Sequence, residues 1–129
     1  MLNSILISKV IYSILIEDEE INKYVNKQIY PLVAEANTNF PFITFTRDSI
    51  NTISSKDGYY EDNITFSINV VSANYLSSLE IANRVRQLFQ RKKIASENLM
   101  LYDVTLTSIN EEYTNDAYVQ ALTFTCTAN

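Results

Sequence analysis

Asp57-Gly58-Tyr59-Tyr60-Glu61-Asp62-Asn63-Ile64-Thr65-Phe66-Ser67-Ile68-Asn69-Val70-Val71-Ser72 carries the strongest strand signal in the chain. Ile64, Phe66, Ile68 and Val70 alternate with Thr65, Ser67 and Asn69. A period of two sends successive side chains to opposite faces, so the spacing predicts a long strand, about Tyr59 to Ser72, with one buried and one wetter face. Asp57-Gly58 ahead of it predicts a hairpin, because the tight turn needs positive φ and glycine adopts it freely. The partner lies upstream, in Pro41–Arg47 and a second extended piece, Ile50–Ser54, both rich in β-branched and aromatic residues. Downstream the period changes. Leu79, Ala82, Val85 and Phe89, with Ile81 and Leu88 beside them, form the apolar spine of a helix over Asn74–Gln90. Ser72 or Asn74 can cap it, Glu80, Asn83, Arg84 and Gln87 face away, and Arg91, Lys92 and Lys93 sit where the helix dipole favours cations.

Leu6, Ile7, Val10, Ile11, Ile14 and Leu15 recur at helical spacing and predict a helix from about Leu2 to Ile16. The acids Glu17, Asp18, Glu19 and Glu20 end it and suit the start of a short second helix running to about Asn26. Gln28–Pro31 reads as a short extended segment stopped by proline, and 32–40 as loop. Two strands close the chain. Leu99–Ile109 is expected to present Met100, Tyr102, Val104 and Leu106 on one face, and Tyr118–Cys126 to present Leu122, Phe124 and Cys126. The polar run Asn110–Asp116 reads as their connection. Strands outside βαβ repeats imply an α+β fold: a mostly antiparallel sheet of four to five strands with two main helices packed on one face, over a single domain, 1–129.

The composition limits the chemistry. Among 129 residues there is no His, so there is no imidazole base and no His-ligated metal. One Cys gives neither a disulfide framework nor a thiolate zinc cluster, and one Gly gives no glycine-rich phosphate loop. Cys126 reads as a small buried hydrophobe. No pair of carboxylates reads as buried in the way acid–base catalysis requires. The expectation is a protein that is not an enzyme and uses no cofactor or metal. The net charge of −5 is opposite in sign to that of most nucleic-acid binders. The apolar N-terminal run lacks a basic flank and a cleavage site and is too interrupted to span a bilayer, so an intracellular protein is expected.

In element order the chain resembles the tail-completion proteins of tailed bacteriophages, also called tail terminators or head-to-tail joining proteins. The resemblance is carried by an apolar first helix with an acidic turn, then Ile29-Tyr30-Pro31, then the strand Phe40-Pro41-Phe42-Ile43-Thr44-Phe45. It continues through Asp57-Gly58 to Asn69-Val70-Val71-Ser72, the helix with Leu79-Glu80-Ile81-Ala82-Asn83-Arg84-Val85-Arg86, and a closing hairpin ending in Tyr118–Thr127. The chain is poorer in Gly and Ala than the family and richer in Asn and Ile. The resemblance implies a virion structural protein that forms a ring, usually a hexamer, at the head–tail junction. Such a ring terminates the tail tube, docks onto the head connector and passes DNA through its lumen without binding it specifically. Its partners would be further copies of itself, the tail-tube protein and the connector, assembled in the bacterial cytoplasm with no membrane involved. The alternatives are another neck or adaptor protein of the connector, and a small intracellular protein-binding module.

Candidate contact residues follow. Tyr59 and Tyr60, beside Asp57 and the turn, can anchor a neighbouring subunit or serve as ordinary strand residues. Arg84 and Arg86, with Arg91, Lys92 and Lys93, hold half of the ten basic residues. They can meet a neighbour's Glu17–Glu20, or form a solvated helix face. Glu111, Glu112 and Tyr113 in the polar connection are further interface candidates. Asp48, Glu61 and Asp62, with Asp57, are candidates to line an acidic lumen along which DNA slides, because no counterion release rewards its binding there.

Overall fold

The protein is described by a computed structural model covering residues 3–54, 56–97 and 99–128; the expected helix start at Leu2 lies outside them. A short 3-10 turn, Ser4–Leu6, leads into helices α1 (Ile7–Glu17) and α2 (Glu19–Val25). Strands β1 (Ile29–Pro31), β2 (Phe42–Ser54) and β3 (Tyr60–Ser72) follow, then helix α3 (Tyr75–Phe89). Strands β4 (Arg91–Ala95), β5 (Met100–Thr114) and β6 (Ala117–Ala128) complete the fold. All six strands form one sheet in the order β1-β2-β3-β6-β5-β4.

The α+β class stands, but the sheet has six strands, not four or five, and is mixed. β1 runs parallel to β2, with Ile29 opposite Ile43, while the other four pairings are antiparallel. The unexpected strand is β4. Arg91, Lys92 and Lys93 continue past the helix as an edge strand with only Ile94 buried, so it carries no apolar alternation to read. Edge strands rich in Lys are a common guard against unwanted pairing.

Burial follows the period of two. Ile64, Phe66, Ile68 and Val70 of β3 and Leu122, Phe124 and Cys126 of β6 are buried on one face. α3 lies on that face, where Phe66 stacks on Phe124 at 5.2 Å and meets Phe89 edge-on at 5.8 Å. α1 covers the same face over β2, with Tyr12 against Phe45. Asp18 ties the helices together. It caps α2 by accepting from the Ile21 N–H, and it accepts from Arg84 of α3 at 2.7 and 3.2 Å.

Three readings of local structure change. Pro41–Arg47 and Ile50–Ser54 are one strand, broken only by a bulge at Asp48. In β5, register shifts between Tyr102 and Thr105 and between Leu106 and Ser108 break the expected face of Met100, Tyr102, Val104 and Leu106. Val104 is buried as expected, but Leu101 takes the place of Met100 and Tyr102, because a bulge adds one residue and flips the alternation. The expected connection Asn110–Asp116 is mostly strand. β5 continues to Thr114 and turns on Asn115 and Asp116, at φ 51° and 62°. Asn and Asp tolerate that left-handed backbone better than most residues.

Candidate assembly surface

Three surfaces are exposed by this architecture: a sheet face, two strand edges and two hairpin ends. The face opposite the helices is covered by none of them. On β3 it presents Asn63, Thr65, Ser67, Asn69 and Val71, and on β6 Val119, Ala121, Thr123, Thr125 and Thr127, all half-buried. Ser67 and Thr123 hydroxyls meet across the strands at 3.3 Å. These ten positions carry hydroxyl, amide and small apolar side chains and no charge. β-branched Thr suits the pleat while keeping the face wettable.

The acidic candidates divide. Asp48 lies on this face at the β2 bulge and accepts from the Ser67 hydroxyl. Glu61 points the same way, opposite Ile53. Asp62 does not: it is 4% exposed on the helix-covered face and accepts from the Thr52 hydroxyl at 2.5 Å. The reason is strand parity, which places Asp62 in register with the buried Ile64 and Phe66.

The sheet also leaves backbone edges open. β1 covers β2 only at 43–45, and β4 covers β5 only over 100–104. Among the described residues, none pairs with the outer side of 46–54 or of 105–114.

The two long hairpins project from opposite ends. At one end Tyr59 and Tyr60, with Ile53, are largely exposed beside Asp57 and Gly58, whose φ is 82°. At the other, Tyr75 of α3 packs on Tyr118 at 5.4 Å, and Tyr118 packs on Tyr113 at 4.9 Å. Glu111 accepts from the Tyr75 hydroxyl at 3.0 Å and from Gln120 at 2.9 Å, and Gln120 also donates to Ser78. The carboxylate beside it pushes the Tyr75 hydroxyl above its ordinary pKa. A shallow cavity of about 220 Å³ opens there, lined also by Glu112. Glu111 and Tyr113 are thus brought together, with Tyr75, Tyr118 and Gln120 as members that sequence reading missed. Their signal was available in the Asn115-Asp116 turn, which registers Tyr113 with Tyr118 and Glu111 with Gln120.

The basic candidates behave differently. Arg84 is engaged within its own chain, by Asp18 at 2.7 Å and Glu20 at 3.3 Å, so the acids expected on a neighbour are supplied internally. The pairing holds the Asp18 carboxyl below its usual range and the Arg84 guanidinium above its own. Arg86 donates to Gln90, one turn on, and is exposed. Larger cavities lie elsewhere among the described residues. One of about 520 Å³ lies between α1 and the β4–β5 connection, and one of about 530 Å³ lies beside the β2 edge, next to Ser4, Ile5 and Arg47. Cys126 is buried, and desolvation pushes its thiol up to about 12. No helix among the described residues is long and apolar enough to cross a membrane.

No protein-family model matches the chain, and no curated protein sequence does. Solved structures do match it. One is a chain from the virion of a native gene transfer agent particle, with a TM-score of 0.77 and 16% identity, over 92% of this chain and 90% of that one. A second solved chain matches over 100% of this chain and 97% of its own length, with a TM-score of 0.65 and 12% identity. At such identities the likeness establishes the shared fold.

Proposed function

We propose that this chain is a structural subunit of a phage-like virion that forms a ring at the head–tail junction. The observation that carries the reading is the fold shared, nearly end to end, with a chain of the gene transfer agent virion. The surface is consistent with it. A tail tube needs a terminating ring whose lumen lets DNA pass. The uncovered face of β3 and β6 offers that ring an inner wall without cations. DNA gains no affinity there, because affinity for the backbone comes chiefly from Lys and Arg displacing counterions. The wall is mainly neutral hydroxyl and amide. Asp48 near its middle, Glu61 at one end and Glu112 at the other add negative charge, and a net repulsion also favours passage.

In this reading the two hairpin ends point along the ring axis. One meets the tail-tube protein and the other the head connector, through the aromatic groups Tyr59–Tyr60 and Tyr75–Tyr113–Tyr118. Tyrosine suits such contacts because it offers a rigid apolar body and a polar tip. The chain would act by shape and contact, with no reaction catalysed, and DNA would be cargo. Negative-stain electron microscopy and native mass spectrometry test this on the purified chain, alone and with its tail-tube protein. The expected result is rings with a central hole and a mass of six copies. A chain that stays monomeric even with the tube present contradicts it.

A further inference from the structure

We propose that the outer edge of β2 in one copy pairs antiparallel with the outer edge of β5 in the next, with Ile50 opposite Ile109 and Arg47 opposite Glu111. Repeated around the assembly, this strand addition closes the ring, so the inference rests on the ring reading above and names its contact.

The two free edges match in length, at 46–54 and 105–114. They match in polarity: along the sheet β2 and β5 run in opposite directions, so a neighbour in the same orientation meets β5 antiparallel. Side chains match as well. Ile50 is opposite Ile64 and Arg47 opposite Phe66 in β3, which places both on the helix-covered face. Ile109 is opposite Leu122 and Glu111 opposite Gln120 in β6, on that same face. The bulge at Asp48 makes the three-residue step from Arg47 to Ile50 span the same two positions as the step from Ile109 to Glu111. In the proposed register an apolar pair and an opposite-charge pair therefore form together, each favourable across antiparallel strands. Ile109 is 47% exposed in the single chain, and Arg47, itself exposed, donates to the Ile5 carbonyl at 3.3 Å. The same register brings the end of β2, ahead of the tip where Asp57 and Glu61 outnumber Lys56, up to Arg91 at the start of the neighbour's β4.

The geometry also closes. Ile50 lies level with Cys126 in its own sheet, and Ile109 lies level with Leu122, four residues lower. Each copy therefore steps about 13 Å along the strands for about 19 Å across its four long strands. That is a strand tilt of about 35°, within the range at which sheets close into barrels. A β5–β5 pairing related by a two-fold axis would leave both β2 edges open, whereas the head-to-tail contact uses every edge and can form a ring.

The test is an Ile50→Cys/Ile109→Cys double variant of the full chain, oxidised mildly and followed by non-reducing electrophoresis and native mass spectrometry. Directly opposed cysteines on antiparallel strands lie within disulfide reach, and the buried Cys126 stays out of the exchange. The expected result is a ladder of linked copies from the double variant and none from either single variant. Rings without a ladder overturn the edge pairing and leave the ring reading standing. Linked dimers from either single variant mean a two-fold contact and overturn it too, as does a chain that remains monomeric at every concentration. The ring reading is judged apart from this, by the rings sought with the tail-tube protein. Charge reversal gives a second readout. Arg47→Glu and Glu111→Arg should each weaken self-association roughly tenfold, and the two together should restore it, with folding checked by circular dichroism.

Discussion

The two faces of one sheet differ in chemistry, and in the proposed ring they differ in role. Under the helices lie Ile64, Phe66, Ile68, Val70, Leu122 and Phe124, all at most 1% exposed. On the other side the same two strands show Asn, Ser, Thr, Val and Ala, half-buried and covered by no helix, with Glu61 as the one charge at the end of β3. A face kept only for solubility would be expected to carry Lys and Glu, as soluble surfaces commonly do. A face that must be wet yet hold neither phosphate nor cation would look like this one. In the proposed ring, this contrast would put stability and passage on opposite sides of β3 and β6.

Substitutions sharpen that contrast. The largest effect is expected for Phe66→Ala, which removes the ring between Phe89 and Phe124 and should cost about 4 kcal/mol in chemical denaturation. Asp18→Ala comes next, at about 2 kcal/mol, because it deletes the α2 cap and leaves Arg84 with only the exposed Glu20. The same pair sets an acid limit. The Asp18 carboxyl is held low chiefly by its hydrogen bonds from Arg84. Its contribution is therefore complete above its ordinary value near about 4, and it is lost as the pH falls through the folded value. Wild type should lose stability over that acid range more steeply than Asp18→Ala, in denaturation at stepped pH.

On the open face the effects shrink. Thr65→Ala with Thr125→Ala should change stability by less than about 0.5 kcal/mol. Thr125→Arg should also leave the fold intact, yet give the assembled ring a DNA affinity that falls with added salt, read by filter binding. A large loss of stability from the threonine pair would break the division between the faces.

Much of this division is legible in the residues themselves. The alternation of Ile64, Phe66, Ile68 and Val70 gives the buried face of β3, and the same parity gives Thr65, Ser67 and Asn69 to the open one. The helix α3 is legible, as is Asp57-Gly58 as a turn, although Leu79 of the expected spine is exposed and Ser78 is buried in its place. What resists reading is whatever depends on tertiary pairing. The strand β4 hides in Arg91-Lys92-Lys93, where an edge position removes the apolar signal. The bulges in β5 flip its faces without marking the sequence. Asp62 looks like a surface acid by its charge; the parity of Ile64 and Phe66 already places it on the buried face, and what the sequence hides is its partner, Thr52. Arg84 looks free because its partner lies 66 residues earlier.

The most direct measurement is a cryo-electron microscopy reconstruction of the ring assembled with its tail-tube protein, asking which face of the sheet turns inward. The account predicts that Thr65, Ser67, Thr123 and Thr125 line the hole, with α1 and α3 on the outside. A hole lined by α1 or α3, with the threonine face turned outward or buried against a partner, would contradict it.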